Sequence, residues 1–254
     1  MLAWNAHPHY RLILAANRDE LHARAAAPLA KWPDAEILAG RDLTAGGTWL
    51  GIERRRRFGI VTNFREWPAT PTGDPSRGRL IPDYLCGQAP PHDFLDSLKA
   101  RASSYAGFNL LLGDAQELWY ASNRAPDFAR ALQPGIYGLS NRLLDTAWPK
   151  LTRVRRRFEI WLRGANEPEP QELLSMLNDR EPGAASDDAY PADVPPEWRR
   201  ALSAPFVLHP VYGTRCSTVV LLKASGALRM IERRFDAAGA CSGETVVELS
   251  ASDW

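Results

Sequence analysis

Apolar positions occur in short runs over the first third of the chain. Residues 10–16, YRLILAA, are apolar on consecutive positions, which predicts a strand buried on both faces. Two further runs, GTWLGI at 47–52 and FGIVTN at 58–63, flank the charged stretch ERRRR at 53–57. That arrangement predicts a hairpin with a polar tip. Residues 67–78, WPATPTGDPSRG, carry the Pro and Gly of a loop. Helices are expected at 79–86, stopped by Gly87, and at 93–105, with Phe94, Leu95, Leu98 and Ala102 on one face. Strands return at 108–112 and 117–121, across a Gly113-Asp114 turn, and at 135–139. From 149 to about 162, Leu151, Val154, Phe158, Ile160 and Trp161 recur near helical spacing with arginines between them. A helix at 169–177 follows, then a Pro/Asp/Ala-rich surface loop at 181–198, then strands at 214–223, 227–235 and 245–249.

Strands at both ends with helices between them predict an α+β fold, and the absence of internal repeats predicts a single domain over 1–254. Hydrophobic residues make up 45% of the chain, enough for a sizeable core. A net charge of +1 gives no field for nucleic acid or an anionic membrane. No apolar run approaches the ~20 residues of a membrane span, and no basic-then-apolar leader opens the chain. Cys86, Cys216 and Cys241 are odd in number and widely spaced, which points to a reducing, cytoplasmic setting. His7, His9, His22, His92 and His209 form no metal-binding motif, and no dinucleotide or phosphate-loop signature is present, so neither metal nor cofactor is expected.

Candidate chemistry lies at the ends of the predicted strands. The run at 10–16 stops at Asn17-Arg18-Asp19-Glu20. Thr62-Asn63-Phe64-Arg65-Glu66 and Leu139-Ser140-Asn141-Arg142 also follow strands, and Gly213-Thr214-Arg215-Cys216-Ser217-Thr218 leads into one. Asn side chains donate to a developing oxyanion, and Arg fixes carboxylates. Each set taken singly reads equally well as turn chemistry, because Asn and Asp bond their own backbone. The arginines at 54–57 read as a solvated turn before they read as a phosphate site.

The blocks AWNAHPHYRLILAANRDELHAR, ILAGRDLTAGGTWLGI, VTNFRE, PSRGRL, YGLSNRLLDTAWPK and YGTRCSTVVLL, in that order, resemble the NRDE family, that of the transport and Golgi organization protein two-like proteins. That family in turn resembles the N-terminal nucleophile hydrolases of the cholylglycine hydrolase and penicillin V acylase group. The resemblance implies a four-layer αββα sandwich and a Cys-type amidohydrolase acting on a non-peptide C–N bond. In those enzymes an N-terminal Cys attacks the carbonyl and its own α-amine, with a pKa near ~7.7–8, is the base. By this resemblance Arg18 and Asp19 would orient the nucleophile, Asn63 and Asn141 would hold the oxyanion or substrate, and Arg215 would be the distal Arg.

One departure matters. Family members begin Met-Cys, whereas this chain begins Met1-Leu2-Ala3-Trp4 and has no Cys, Ser or Thr before Asn5. The nucleophile is absent from the sequence, and Cys216 lacks the adjacent α-amine. Two explanations stand. Either the start lies a few residues late, or the pocket binds without hydrolysing, with haem or a lipid as the hydrophobic ligand. The expected partner is a small-molecule ligand or amide substrate, with no nucleic acid and no membrane span.

Overall fold

The computed structural model describes residues 1–66, 75–164, 167, 169–183 and 194–254. They form two compact units of mixed α+β structure, each built on an antiparallel sheet. Strands and helices are numbered along the chain.

Unit 1 comprises Met1–Ala23, Pro134–Gly138 and Asp145–Trp254. Its six-stranded sheet runs, in spatial order, β10 (Gly135–Tyr137), β1 (Leu2–Trp4), β2 (Tyr10–Leu21), β11 (Tyr212–Lys223), β12 (Leu228–Phe235) and β13 (Cys241–Leu249). Helices α3 (Pro149–Gly164) and α4 (Pro170–Leu177) pack on one face of it. Ile13 and Ala15 of β2, Val219 and Leu221 of β11 and Ile231 of β12 meet Phe158 and Trp161 of α3 and Leu173 and Leu174 of α4. The alternate residues Leu12, Leu14, Val220 and Leu222 are also buried, as the unbroken apolar run predicts. A short helix, α5 (Pro196–Leu202), sends Leu202 into a small cluster with Trp148, Val194 and Val207.

Unit 2 comprises Arg24–Gln133 and Leu139–Leu144. Seven strands pair in chain order: β3 (Ala26–Lys31), β4 (Ile37–Asp42), β5 (Leu50–Glu53), β6 (Phe58–Asn63), β7 (Phe108–Gly113), β8 (Leu118–Ser122) and β9 (Ala129–Ala131). Helices α1 (Leu80–Leu85) and α2 (Pro91–Lys99) cover Ile37, Ala39, Leu110 and Leu112 with Ile81, Leu85, Leu95 and Leu98. Gly59 makes the α1 contact fit, since a Cβ there would come within 2.8 Å of Ile81 Cδ1.

Several expectations change. The strand begun at Tyr10 does not end at Asn17; β2 continues through Asn-Arg-Asp-Glu to Leu21, because β11 pairs with it along the whole length. The helix expected at 93–105 stops at Lys99 and is followed by a single 3-10 turn, Ala102–Ser104. The strand expected at 135–139 is β10, whereas its partner β1, the pair β3/β4 and the short β9 had no periodic signal, being brief or, in β3, rich in Ala and interrupted by Pro. The loop expectations at 67–74 and 184–193 lie outside the described residues, while 196–198 open α5.

The hairpin tip is the plainest correction. Arg54 and Arg55 are exposed as a solvated turn would have them, but Arg56 and Arg57 are each only 6% exposed, so the second half of the ERRRR stretch is buried. Arg57 donates to the carbonyls of Tyr84 (3.1 Å), Gly87 (2.7 Å) and Ala89 (2.6 Å), and lies 4.1 Å over the Tyr84 ring. A guanidinium beyond the C-terminus of α1 satisfies carbonyls that the helix leaves open and complements its dipole. Among the described residues no helix is long and apolar enough to cross a membrane.

Candidate functional site

In unit 1 the polar run occupies successive positions of a strand, so its side chains alternate faces. Asn17 continues the face of Ile13 and Ala15. Its Nδ2 donates to Leu177 O and Pro205 O, both at 2.9 Å, and its Oδ1 accepts from Ser217 Oγ at 2.6 Å. Both N–H groups are thus committed to holding the end of α4 and the segment before β11. Asp19 shares that face and accepts from Thr214 Oγ1 at 2.7 Å, while its carbonyl takes the Tyr212 hydroxyl at 3.0 Å.

Arg18 points to the opposite face, is 8% exposed, and stands 4.0 Å from the Glu20 carboxylate. Directly across the ladder from it is Cys216. Burial pushes the Cys216 thiol far up, the Glu232 carboxylate adds to this, and Arg18 only partly opposes it. The thiol therefore keeps its proton at neutral pH and is not an activated nucleophile.

The pairing slips between Thr214 and Cys216, leaving Arg215 as the extra residue of a β-bulge. Arg215 Nη1 donates to the carbonyls of Leu21 and His22, both at 2.9 Å. The structure thus places Arg18, Asp19 and Arg215 on two adjacent strands, with the Arg18 and Asp19 side chains on opposite faces. The Met1 α-amine lies on the same sheet, donating to Ala15 O at 2.7 Å. Burial lowers its pKa from 8.0 to about 5, with Asp145 partly opposing the shift.

In unit 2, Asn63 ends β6 and Asn141 lies in the segment that runs beside it. Asn141 Oδ1 accepts from Arg65 Nη2 at 2.9 Å, and Asn141 Nδ2 donates to Asn63 O at 3.1 Å. Because a guanidinium only donates, it must face the amide oxygen, and this sets the orientation of the Asn141 amide. Among the described residues, one of the two Nδ2 hydrogens has no partner. Asn63 is exposed, and its side-chain amide has no hydrogen-bond partner among the described residues.

A buried network that the sequence reading passed over holds this pair in place. Asn109, fully buried in β7, donates to Thr62 Oγ1 (3.3 Å) and Arg142 O (3.0 Å) and accepts from Tyr120 OH at 2.7 Å. Tyr120 OH in turn accepts from Leu144 N at 3.2 Å, and Thr62 Oγ1 donates to Ser140 O at 3.3 Å. An Asn inside the apolar run FNLLLG was the available signal, because a buried amide needs partners.

A family model, Transport and Golgi organisation 2, matches residues 1–237. The chain belongs to this family. The transport and Golgi organization protein 2 homolog of Bos taurus is 37% identical over 240 residues, covering 88% of this chain and 86% of the relative. The Homo sapiens homolog is 35% identical over 244 residues, with the same coverage of 88% and 86%. The Drosophila melanogaster transport and Golgi organization protein 2 is 28% identical over 245 residues, again covering 88% and 86%. The matched span contains the sheet positions of Arg18, Asp19 and Arg215 and the Asn63–Asn141 pair.

Proposed function

We propose that this Transport and Golgi organisation 2 family protein binds a small molecule through its carbonyl or amide group, with Asn141 and Asn63 as donors. The observation that carries this reading is the fixed Asn141 amide. Arg65 holds its oxygen and the Asn63 carbonyl takes one hydrogen, so the remaining N–H is oriented before any ligand arrives. A donor that needs no reorganisation is what an oxyanion or carbonyl site requires.

The same reading places the chain with NRDE proteins on an N-terminal nucleophile hydrolase-type αββα frame, as one domain over 1–254. Asp19 and Arg215 are then polar residues at the nucleophile end of that frame, with Arg18 on the other face of the strand. Their bonds support an ordering role rather than proton transfer, since Asp19 and Arg215 already have protein partners. Cys216, the cysteine beside Arg18, is buried, and burial pushes its thiol pKa up, so it is no ready nucleophile for amide turnover. The transport and Golgi organization named for the relatives fits a protein that holds or delivers a ligand and does not require hydrolysis.

The test uses the full chain and a panel of N-acyl amino acids, with haem as the apolar comparison, followed by calorimetry and by product analysis for hydrolysis. Asn141→Ala should weaken binding of an N-acyl probe by ~5–30-fold, the size of one or two hydrogen bonds. Equal affinity in Asn141→Ala and Asn63→Ala would remove the reading. Amide turnover by the unaltered chain would restore the hydrolase.

A further inference from the structure

Unit 1 contains a cleft of about 620 Å³ lined by Asn178, Arg180, Arg233, Phe235, Cys241 and Glu244, with Ala238, Gly239 and Ala240 along one side. None of these residues belongs to the polar sets above. Asp236 Oδ1 builds that side by accepting the N–H groups of Ala238 and Ala240, both at 2.9 Å. Gly239 sits there at φ +75°, where a Cβ would meet Leu208 Cδ2 at 2.6 Å.

Arg180 is held in one orientation. Its Nε donates to Asn178 Oδ1 at 3.2 Å and its Nη2 to Gly239 O at 2.6 Å, while its Cζ lies 4.6 Å from the Phe206 ring centre. Among the described residues, Nη1 and one of the two Nη2 hydrogens have no hydrogen-bond partner. Two parallel N–H groups match the two oxygens of a carboxylate.

Arg180 is an exposed cation. Its protein partners are neutral oxygens, and among the described residues no carboxylate pairs with it. Nearby acids have other partners: Glu244 is held by Arg233 at 2.6 Å, Asp179 by Arg153 at 2.8 Å and Arg157 at 3.6 Å, and Asp236 by its own turn. Phe235 and the two alanines add apolar surface beside this cation. The geometry points to a binding site for a small organic carboxylate, with Arg180 as the bidentate anchor and the body of the ligand against the Phe235 and alanine side.

Cys241 lines the cleft and is exposed, so its thiol reports occupancy, and exposed Cys86 in unit 2 serves as the internal control. The intact protein is alkylated with iodoacetamide, and each cysteine peptide is quantified by mass spectrometry. Benzoate is the probe, benzamide its neutral counterpart, and inorganic phosphate the competing anion.

At about ten times its Kd, benzoate should slow Cys241 alkylation roughly ten-fold by simple occupancy and leave Cys86 unchanged. Benzamide should not protect. Arg180→Gln should abolish protection, and Arg180→Lys, which keeps the charge without the fork, should leave only a small part of it. Arg180→Lys also covers the case in which Arg180→Gln disturbs the Gly239 turn, which would show as altered Cys241 labelling before ligand is added. No protection by benzoate, equal protection by benzamide or in both variants, or protection by phosphate alone would overturn the proposal.

Discussion

Asn17 and Asn63 are the same residue type at the polar end of an apolar strand run, yet the fold uses them in opposite ways. Asn17 spends both N–H groups on the carbonyls of Leu177 and Pro205 and its oxygen on Ser217. Asn63 lends only its main-chain carbonyl, to Asn141, and leaves its amide exposed. A half-buried amide whose donors and acceptor are all taken becomes part of the architecture. An exposed one beside a fixed neighbour stays available to a ligand. The motif that stands out in the sequence, Asn-Arg-Asp-Glu, is therefore largely structural at its Asn, while the less conspicuous Thr-Asn and Ser-Asn pairs carry the open donors.

The largest effect expected from this contrast is a pH dependence of stability arising in unit 1. The Met1 α-amine has a native pKa of about 5 against 8.0 unfolded. Between these values the unfolded chain binds a proton that the native state does not, so stability rises with pH across that window and levels off above it. Full expression of the shift is on the order of 2–4 kcal/mol. Urea titrations at pH 5, 6, 7 and 8 on the chain beginning at Met1 should show the midpoint climbing. A flat profile would mean that the amine is solvated.

Asn17→Ala comes next. It removes the donors of two part-buried carbonyls and the acceptor of Ser217 at once. A loss of about 2–3 kcal/mol is expected in chemical denaturation, since each orphaned group carries a desolvation penalty. Asn63→Ala should shift the same curve by less than about 0.5 kcal/mol, as exposed positions do. If the two substitutions cost the same, the division between a structural and an available amide fails.

Much of this was legible in the sequence, and the misses share a cause. Helix α3 and strands β6, β7 and β11 announce themselves because their apolar spacing is long and regular. The meeting of Asn63 with Asn141 does not follow from their spacing, because it depends on Asn109 and Tyr120, which lie far away in sequence. β2 outruns its apolar pattern because charged residues normally mark a solvent edge, whereas here a neighbouring strand extends the ladder beneath them. Arg57 reads as a surface charge for the same reason. Its partners are main-chain carbonyls at the end of α1, and carbonyl positions leave no trace in a list of side chains.

The smallest effect is in unit 2, and its sign is opposite to that of Met1. His92 Nδ1 lies 2.7 Å from Glu117 Oε1, with Asp93 at 3.4 Å from its Nε2. The hydrogen bond to Glu117 is the main cause that raises the His92 pKa above 6.5, and Asp96 contributes as well. A raised histidine pKa stabilises the fold below the unfolded value, and that contribution is lost as pH rises through the native one. The ring is exposed, so solvent screens the pair and the denaturation midpoint should hardly register it. An NMR titration of the His92 ring resonances is the sensitive measurement. It should give a midpoint above the usual histidine value that falls back toward it in Glu117→Gln. A midpoint unchanged by that substitution would show that solvent alone sets the protonation of His92, leaving Met1 as the only one of the two whose charge state is governed by the fold.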